Sequence, residues 1–286
     1  MQPAGPLRRN VATTRVIAFR DGTRIERADR LAGEEPMEIR AGGPGQEPLS
    51  VAVTMRTPGN DFELAAGFLY TEGLVRRRDE IVSVAYCELP ADEQNYNVVT
   101  VRLSRPFDSD VLHRNFYATS SCGVCGKASL DEVRVACDTL PAGPVVAASI
   151  VVSLPPALRE AQRVFEQTGG LHAAGLFDAD GRVHVVREDV GRHNAVDKLV
   201  GWALLEEGLP LSDRLLMVSG RVGFEITQKA AVAGIPILCA VSAPSSLAVD
   251  LAREVGMTVV GFVRGGGFNV YSHPERVDLG DGTKPA

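Results

Sequence analysis

From Leu215 to Val263 the chain reads LLMVSGRVGFEITQKAAVAGIPILCAVSAPSSLAVDLAREVGMTVVGFV. Three short apolar runs, Leu215 to Val218, Ile235 to Val241 and Thr258 to Val263, alternate with two segments of helical spacing, Val222 to Ala233 and Ser245 to Val255. Short runs without polar alternation predict strands covered on both faces, and strands alternating with helices predict parallel crossovers. This stretch decides the fold class as α/β.

Upstream, Pro156 to Gln167 is expected to be a helix with Leu158, Ala161, Val164 and Phe165 on one face, stopped by Gly169-Gly170. Leu171 to Phe177 and Arg182 to Arg187 alternate as strands around the turn Asp178 to Gly181, and a helix is expected from Gly191 to Glu206, closed by Gly208. Val196, Leu199, Val200, Ala203 and Leu204 form its inward face. The order α-β-β-α-β-α-β-α-β resembles the cytidine deaminase-like fold, so the carboxy-terminal half, 151–286, is expected to be a cytidine deaminase-like three-layer core. The amino-terminal part, 1–150, is expected to be a smaller mixed α+β domain. Asp21-Gly22 marks a hairpin between Arg15 to Phe19 and Thr23 to Ile25. Pro48 to Met55, Ile81 to Tyr86 and Val98 to Leu103 are strand candidates. Asn60 or Asp61 opens a helix ending before Gly73, with Leu64, Phe68 and Leu69 inward.

With 286 residues and a net charge of −6, the chain can bury a large core and offers no broad basic surface for nucleic acid or anionic membrane. Arg15 and Arg20 interrupt any signal-peptide core after Arg8-Arg9, and the longest apolar run is far short of a membrane span. A cytoplasmic protein is expected, in which the five cysteines stay reduced.

Cys122-Gly-Val-Cys125 is the paired motif among those cysteines, flanked by Gly123, Gly126 and Lys127. Two unimportant thiols in a loop, a zinc site and a disulfide oxidoreductase all remain readings of it. Zinc would need an irregular set completed from Cys137 or His113. An oxidoreductase motif normally opens a helix, whereas glycines on both sides suit a mobile loop whose thiolate takes and hands over sulfur. The deaminase positions argue against deamination: Val190 to Asn194 and Ser219 to Gly223 carry neither the H-x-E nor the C-x-x-C pattern. Those helix starts suit phosphate instead. Arg192, Arg221 and Arg264 fall at predicted strand ends, Gly265, Gly266 and Gly267 permit close backbone approach, and His172 and His193 are acid–base candidates. Glu188, Asp189 and Glu225 are candidates to pair with the rim arginines or to meet a base edge.

Ordered motifs across nearly the whole chain carry a family resemblance. They include Glu34 to Arg40, Met55-Arg-Thr-Pro-Gly59, Gly67 to Gly73, Cys122 to Lys127, Thr168-Gly-Gly-Leu-His172 and Glu188 to Lys198. They continue with Ser219-Gly-Arg221, Ser242 to Ala248, and Arg264-Gly265 with Asn269-Val-Tyr271. The chain resembles the formate dehydrogenase accessory sulfurtransferases (FdhD). The resemblance implies a homodimer that takes sulfur from a cysteine desulfurase and holds it as a cysteine persulfide. It also implies delivery to the bis(molybdopterin guanine dinucleotide) molybdenum cofactor for formate dehydrogenase. It places the carrier on Cys122 and Cys125 and the cofactor segment on Phe262, Val263, Arg264, Gly265, Gly266 and Gly267. Relatives often carry a charged or polar side chain in the stretch occupied here by Gly266 and Gly267, which leaves contacts there to the backbone.

Overall fold

The computed structural model describes residues 10–87, 96–107 and 139–280. Cys122, Cys125, Lys127, His113 and Cys137 lie outside the described residues. The chain first forms β1 (Val11–Arg20) and β2 (Thr23–Ala32), an antiparallel ribbon closed by Asp21 and Gly22, both at positive φ. That is the two-residue turn expected of Asp-Gly, although the strands run longer than their apolar alternation suggested.

A four-stranded sheet follows, ordered β4-β3-β6-β5 from β3 (Glu35–Gly42), β4 (Leu49–Arg56), β5 (Ile81–Tyr86) and β6 (Val98–Leu103). Strand β3 was not expected as a strand. Its buried residues, Met37, Ile39 and Ala41, alternate with Glu38 and Arg40, and the charges mask a period of two. Helix α1 (Asp61–Thr71) lies on this sheet, its Leu64 and Leu69 packed with Ile39, Val99 and Val101.

The larger body holds β7 (Val146–Ala147), α2 (Ala148–Ala161), α3 (Arg163–Thr168), β8 (His172–Phe177), β9 (Val183–Asp189) and α4 (Arg192–Trp202). It continues through β10 (Leu215–Val218), α5 (Phe224–Val232), β11 (Ile237–Ala240), α6 (Ser246–Val255), β12 (Thr258–Arg264), β13 (Gly267–Ser272) and β14 (Val277–Asp278). Its main sheet is ordered β13-β12-β11-β10-β8-β9. Helices α4, α5 and α6 cover one face and α2 the other, so the expected three layers are present. The main-sheet strands of 215–263 read as parallel are so: β10 pairs β11 and β11 pairs β12 in parallel. The flanks are antiparallel, with the β8–β9 hairpin on one side and β13 on the other.

Two sequence expectations change. The helix read from Pro156 to Gln167 begins at Ala148, carries Pro155 and Pro156 inside it, and breaks at Gln162 before the short α3. A buried apolar face, Val151, Leu154 and Leu158, carries the helix through both prolines. Strand β13, which starts at Gly267, was not expected. Residue 150 lies in the first turn of α2; the smaller core draws on Met37 to Phe107 with Leu204, the larger on Leu140 to Val277.

The two bodies meet where α1 crosses α4. A Cβ on Gly67 would stand 1.9 Å from the Asp197 carbonyl oxygen and 2.7 Å from the Gly201 nitrogen. A Cβ on Gly201 would stand 1.8 Å from the Glu63 carbonyl oxygen. The backbones therefore touch, and no side chain larger than hydrogen fits at either position. Gly67→Ala or Gly201→Ala forces the helices apart and is expected to cost about 3 kcal/mol or more. Urea unfolding reads this as a lowered midpoint; an alanine variant with an unchanged midpoint would show that the crossing is looser than the structure has it.

Candidate functional site

Helix α4 carries charge through a buried environment. Asn194 to Gly201 are all buried, because the helix lies between the main sheet and α1. Lys198 Nζ meets Asp189 Oδ2 at 2.7 Å and donates to the Thr57 carbonyl oxygen at 2.8 Å. Asp189 in turn accepts from Thr57 N, Gly191 N and Asn194 Nδ2. Asn194 also donates to the Met55 carbonyl oxygen at 2.7 Å. One turn on, Asp197 accepts from Thr71 Oγ1 at 2.7 Å and pairs with Lys229 at 2.9 Å. Burial opposes the charge on Lys229, but Asp197 and Glu72 overcome it and hold its pKa above the ordinary lysine value. The charged motif Glu188 to Lys198 thus locks the Met55-Arg-Thr57 segment and the end of α1 onto the main body.

Asp189 pairs across the hairpin with His172, the first residue of β8. His172 opens onto a cleft of about 950 Å³ at the ends of the main-sheet strands. Its walls come from α2, from α3 with Gly169-Gly170, and from the β12–β13 turn. Apolar side chains, among them Leu158, Phe165, Val241 and Val263, line most of it. The charged or polar side chains on its surface are Arg159, Gln162, His172, Ser219 and Arg264, with no carboxylate among the described lining residues. In a chain of net charge −6, such a lining is chemically suited to an anion with apolar or planar parts.

Of the residues singled out from the sequence, His172, Val263, Arg264, Gly265 and Gly266 line this cleft together. Arg192 and His193 stand beside it: a Cβ on Gly220 would lie 3.3 Å from His172 Nδ1 and 3.9 Å from Arg192 Cβ. His193 Nε2 pairs with Glu225 at 3.0 Å, and that hydrogen bond from His193 is the first cause of a Glu225 pKa below the usual carboxylate value. Phe262 and Gly267 flank the turn without lining the cleft, and the Arg264 guanidinium sits 5.2 Å above the Phe262 ring. Arg221 is exposed just past Ser219-Gly220 and is not part of the lining. Gly265 and Gly266, at φ 59° and 81°, are the two central residues of the β12–β13 hairpin turn. Both need positive φ, so glycine is required there by the turn itself.

Glu188 and Asp189 serve the scaffold. Both Glu188 carboxylate oxygens accept from α3, from Val164 N at 2.9 Å and Phe165 N at 2.8 Å. The α2–α3 wall itself, with Arg159, Gln162 and Phe165, was missed as part of a site. Pro156 and Gly169-Gly170, on either side of it, were read as helix boundaries. Cys239 is fully buried in β11, as its apolar strand implied, and burial pushes its thiol up to about 12. Among the described residues no group of three or more histidine, cysteine or acidic side chains is placed to hold a metal ion.

Residues 32–278 match the family model described as the FdhD/NarQ family. The chain is 53% identical over 271 residues to a sulfur carrier protein FdhD of Mycolicibacterium paratuberculosis, covering 92% of this chain and 97% of that one. It is 54% identical over 274 residues to a protein of the same description from Streptomyces avermitilis, covering 93% and 95%. A solved structure described as a formate dehydrogenase accessory protein from Desulfotalea psychrophila superposes with a TM-score of 0.71 at 25% identity, over 94% of this chain and 100% of that one.

Burial first, then the charges of Arg192 and His193, hold the His172 pKa below the ordinary imidazole value, against the opposing pull of Asp189. The unfolded chain therefore binds more protons than the folded one between that lowered value and about 6.5. Stability should fall as the pH drops through about 6.5 and level off below the folded pKa, and His172→Gln should remove this part of the slope. Urea midpoints across this range check it; identical slopes for the two proteins would show that His172 titrates as it does in water.

Proposed function

The chain belongs to the FdhD/NarQ family, and from that premise we propose that it is a sulfur carrier serving the maturation of formate dehydrogenase. The observation that carries the proposal is the cleft itself: an apolar groove at the strand ends with Arg159, Arg264 and His172 on its surface and no described carboxylate. Such a groove suits a large cofactor bearing phosphates. The substrate is the bis(molybdopterin guanine dinucleotide) molybdenum cofactor, its phosphates set against Arg264, His172 and the Gly265-Gly266 turn, with Arg192 close by. The layered core, with α4, α5 and α6 on one face of the main sheet, is read as cytidine deaminase-like. The protein works in the cytoplasm as a homodimer.

The chemistry belongs to Cys122 and Cys125. The Cys122 thiolate attacks the terminal sulfur of a persulfide on a cysteine desulfurase, the sulfur–sulfur bond of the donor breaks, and the donor cysteine leaves as thiolate. Cys122 then carries the extra sulfur. At handover Cys125 attacks the inner sulfur of this persulfide. A Cys122–Cys125 disulfide forms, the outer sulfur leaves as sulfide to the cofactor, and the two thiols supply the two electrons that reduce it. A dithiol reductant reopens the disulfide for the next turn.

Incubation with a cysteine desulfurase and cysteine should raise the intact mass by one sulfur atom, with peptide mapping placing it on Cys122. Cys122→Ser should abolish loading, whereas Cys239→Ala should load normally, its thiol being buried and held protonated. Loading that persists in Cys122→Ser, or a protein that forms the disulfide but never takes up sulfur, would favour a thiol–disulfide oxidoreductase instead.

A further inference from the structure

Gln162 stands at the break between α2 and α3, at φ −81° and ψ 80°, outside both helices. It is 4% exposed, it lines the cleft, and its Nε2 meets no acceptor among the described residues. A buried amide donor left unpaired is costly, and a protein keeps one where something else supplies the acceptor. Its surroundings say what that is. The Arg159 guanidinium carbon lies 4.0 Å from the centre of the Phe165 ring, a cation on an aromatic face of the cleft wall, and Pro155, Pro156 and Leu158 add apolar lining to the same cleft. The phosphate-facing candidates, the Arg264 guanidinium and the His172 imidazole, stand with the strand ends and the β12–β13 turn, on elements other than the α2–α3 wall.

We infer that Gln162 is the residue that reads the heterocyclic base of the nucleotide end of the ligand. The base enters the cleft beside the Arg159–Phe165 pair, and the Gln162 N–H donates to a ring or exocyclic acceptor on its edge. The torsion that orients the carboxamide is soft, so a small turn presents the N–H to the cleft. The phosphates then lie toward His172 and Arg264. Glu188 is the positioning residue, since its carboxylate holds the first amides of α3 and so sets where Gln162 and Phe165 stand. The inference rests on the nucleotide-bearing ligand of the proposed function and adds which end of the cleft takes the base.

Calorimetry on the full chain tests it with two probes, GDP and inorganic pyrophosphate, which has phosphates and no base. Gln162→Met keeps the volume and removes the donor. It should weaken GDP binding by about 5- to 20-fold and leave pyrophosphate binding within about twofold. The ligand-free variant should melt at the same temperature or a few degrees higher, because an unpaired buried donor has been replaced by an apolar group. A lower melting temperature would make Gln162 a packing residue and overturn the inference. So would unchanged GDP binding, or a loss of pyrophosphate binding equal to the loss of GDP binding. If the wild type binds neither probe, the nucleotide-bearing ligand itself is wrong; if it binds GDP and the variant binds it equally well, only the role of Gln162 is wrong.

Discussion

The contact of Gly67 with Gly201 sets the geometry of the whole molecule. Two helices from different bodies approach until their backbones touch, which only a pair of glycines allows. At that distance the side chains one turn away on α4 are forced into the interior, and two of them are charged. Asp197 and Lys198 can be buried only because partners from the other body, Thr71 and the Thr57 carbonyl, and from α5 and β9, Lys229 and Asp189, lie within hydrogen-bond reach. Removing one member would leave an uncompensated buried charge, so this network specifies one docking of the bodies more than it adds net stability.

The same network places the cleft. Asp189, held by Thr57 and Lys198, is the cross-strand partner of His172. Glu188, one residue earlier, holds α3 and with it the far wall. Two adjacent carboxylates at the end of β9 thus fix one side of the cleft to the small body and the other to the break after α2. Charges that look fit to bind a ligand are turned inward, and the surface left facing the cleft is cationic and apolar.

Much of this was legible from residue patterns. The apolar runs between Leu215 and Val263 became β10, β11 and β12, and the inward face Val196, Leu199, Val200, Ala203 and Leu204 is buried throughout. Period and composition suffice there, because each element buries one face and its neighbours in sequence are its neighbours in space. Strand β3 escaped notice because charges occupy its outward positions, and the first half of α2, before Pro156, because its prolines sit inside a helix that packing sustains. The wall made by Arg159, Gln162 and Phe165 escaped for another reason: nothing local distinguishes a glutamine at a helix break from one in solvent.

By itself, the sequence determined the fold class, the order of most elements, the turns at Asp21-Gly22 and at Gly208, and, through its ordered motifs, the family. These follow from local sterics and hydrophobic period, which a residue and its near neighbours set. Only the tertiary structure decided what the motif residues do. Asp189, Asn194 and Lys198 became a lock between two bodies, while His172, Arg264 and Gln162 came to share one cleft from β8, β12 and the α2–α3 break. The physical reason is that burial and hydrogen-bond partnership belong to groups brought together over more than a hundred residues of chain, as Lys198 is to Thr57. No spacing within the sequence records that distance.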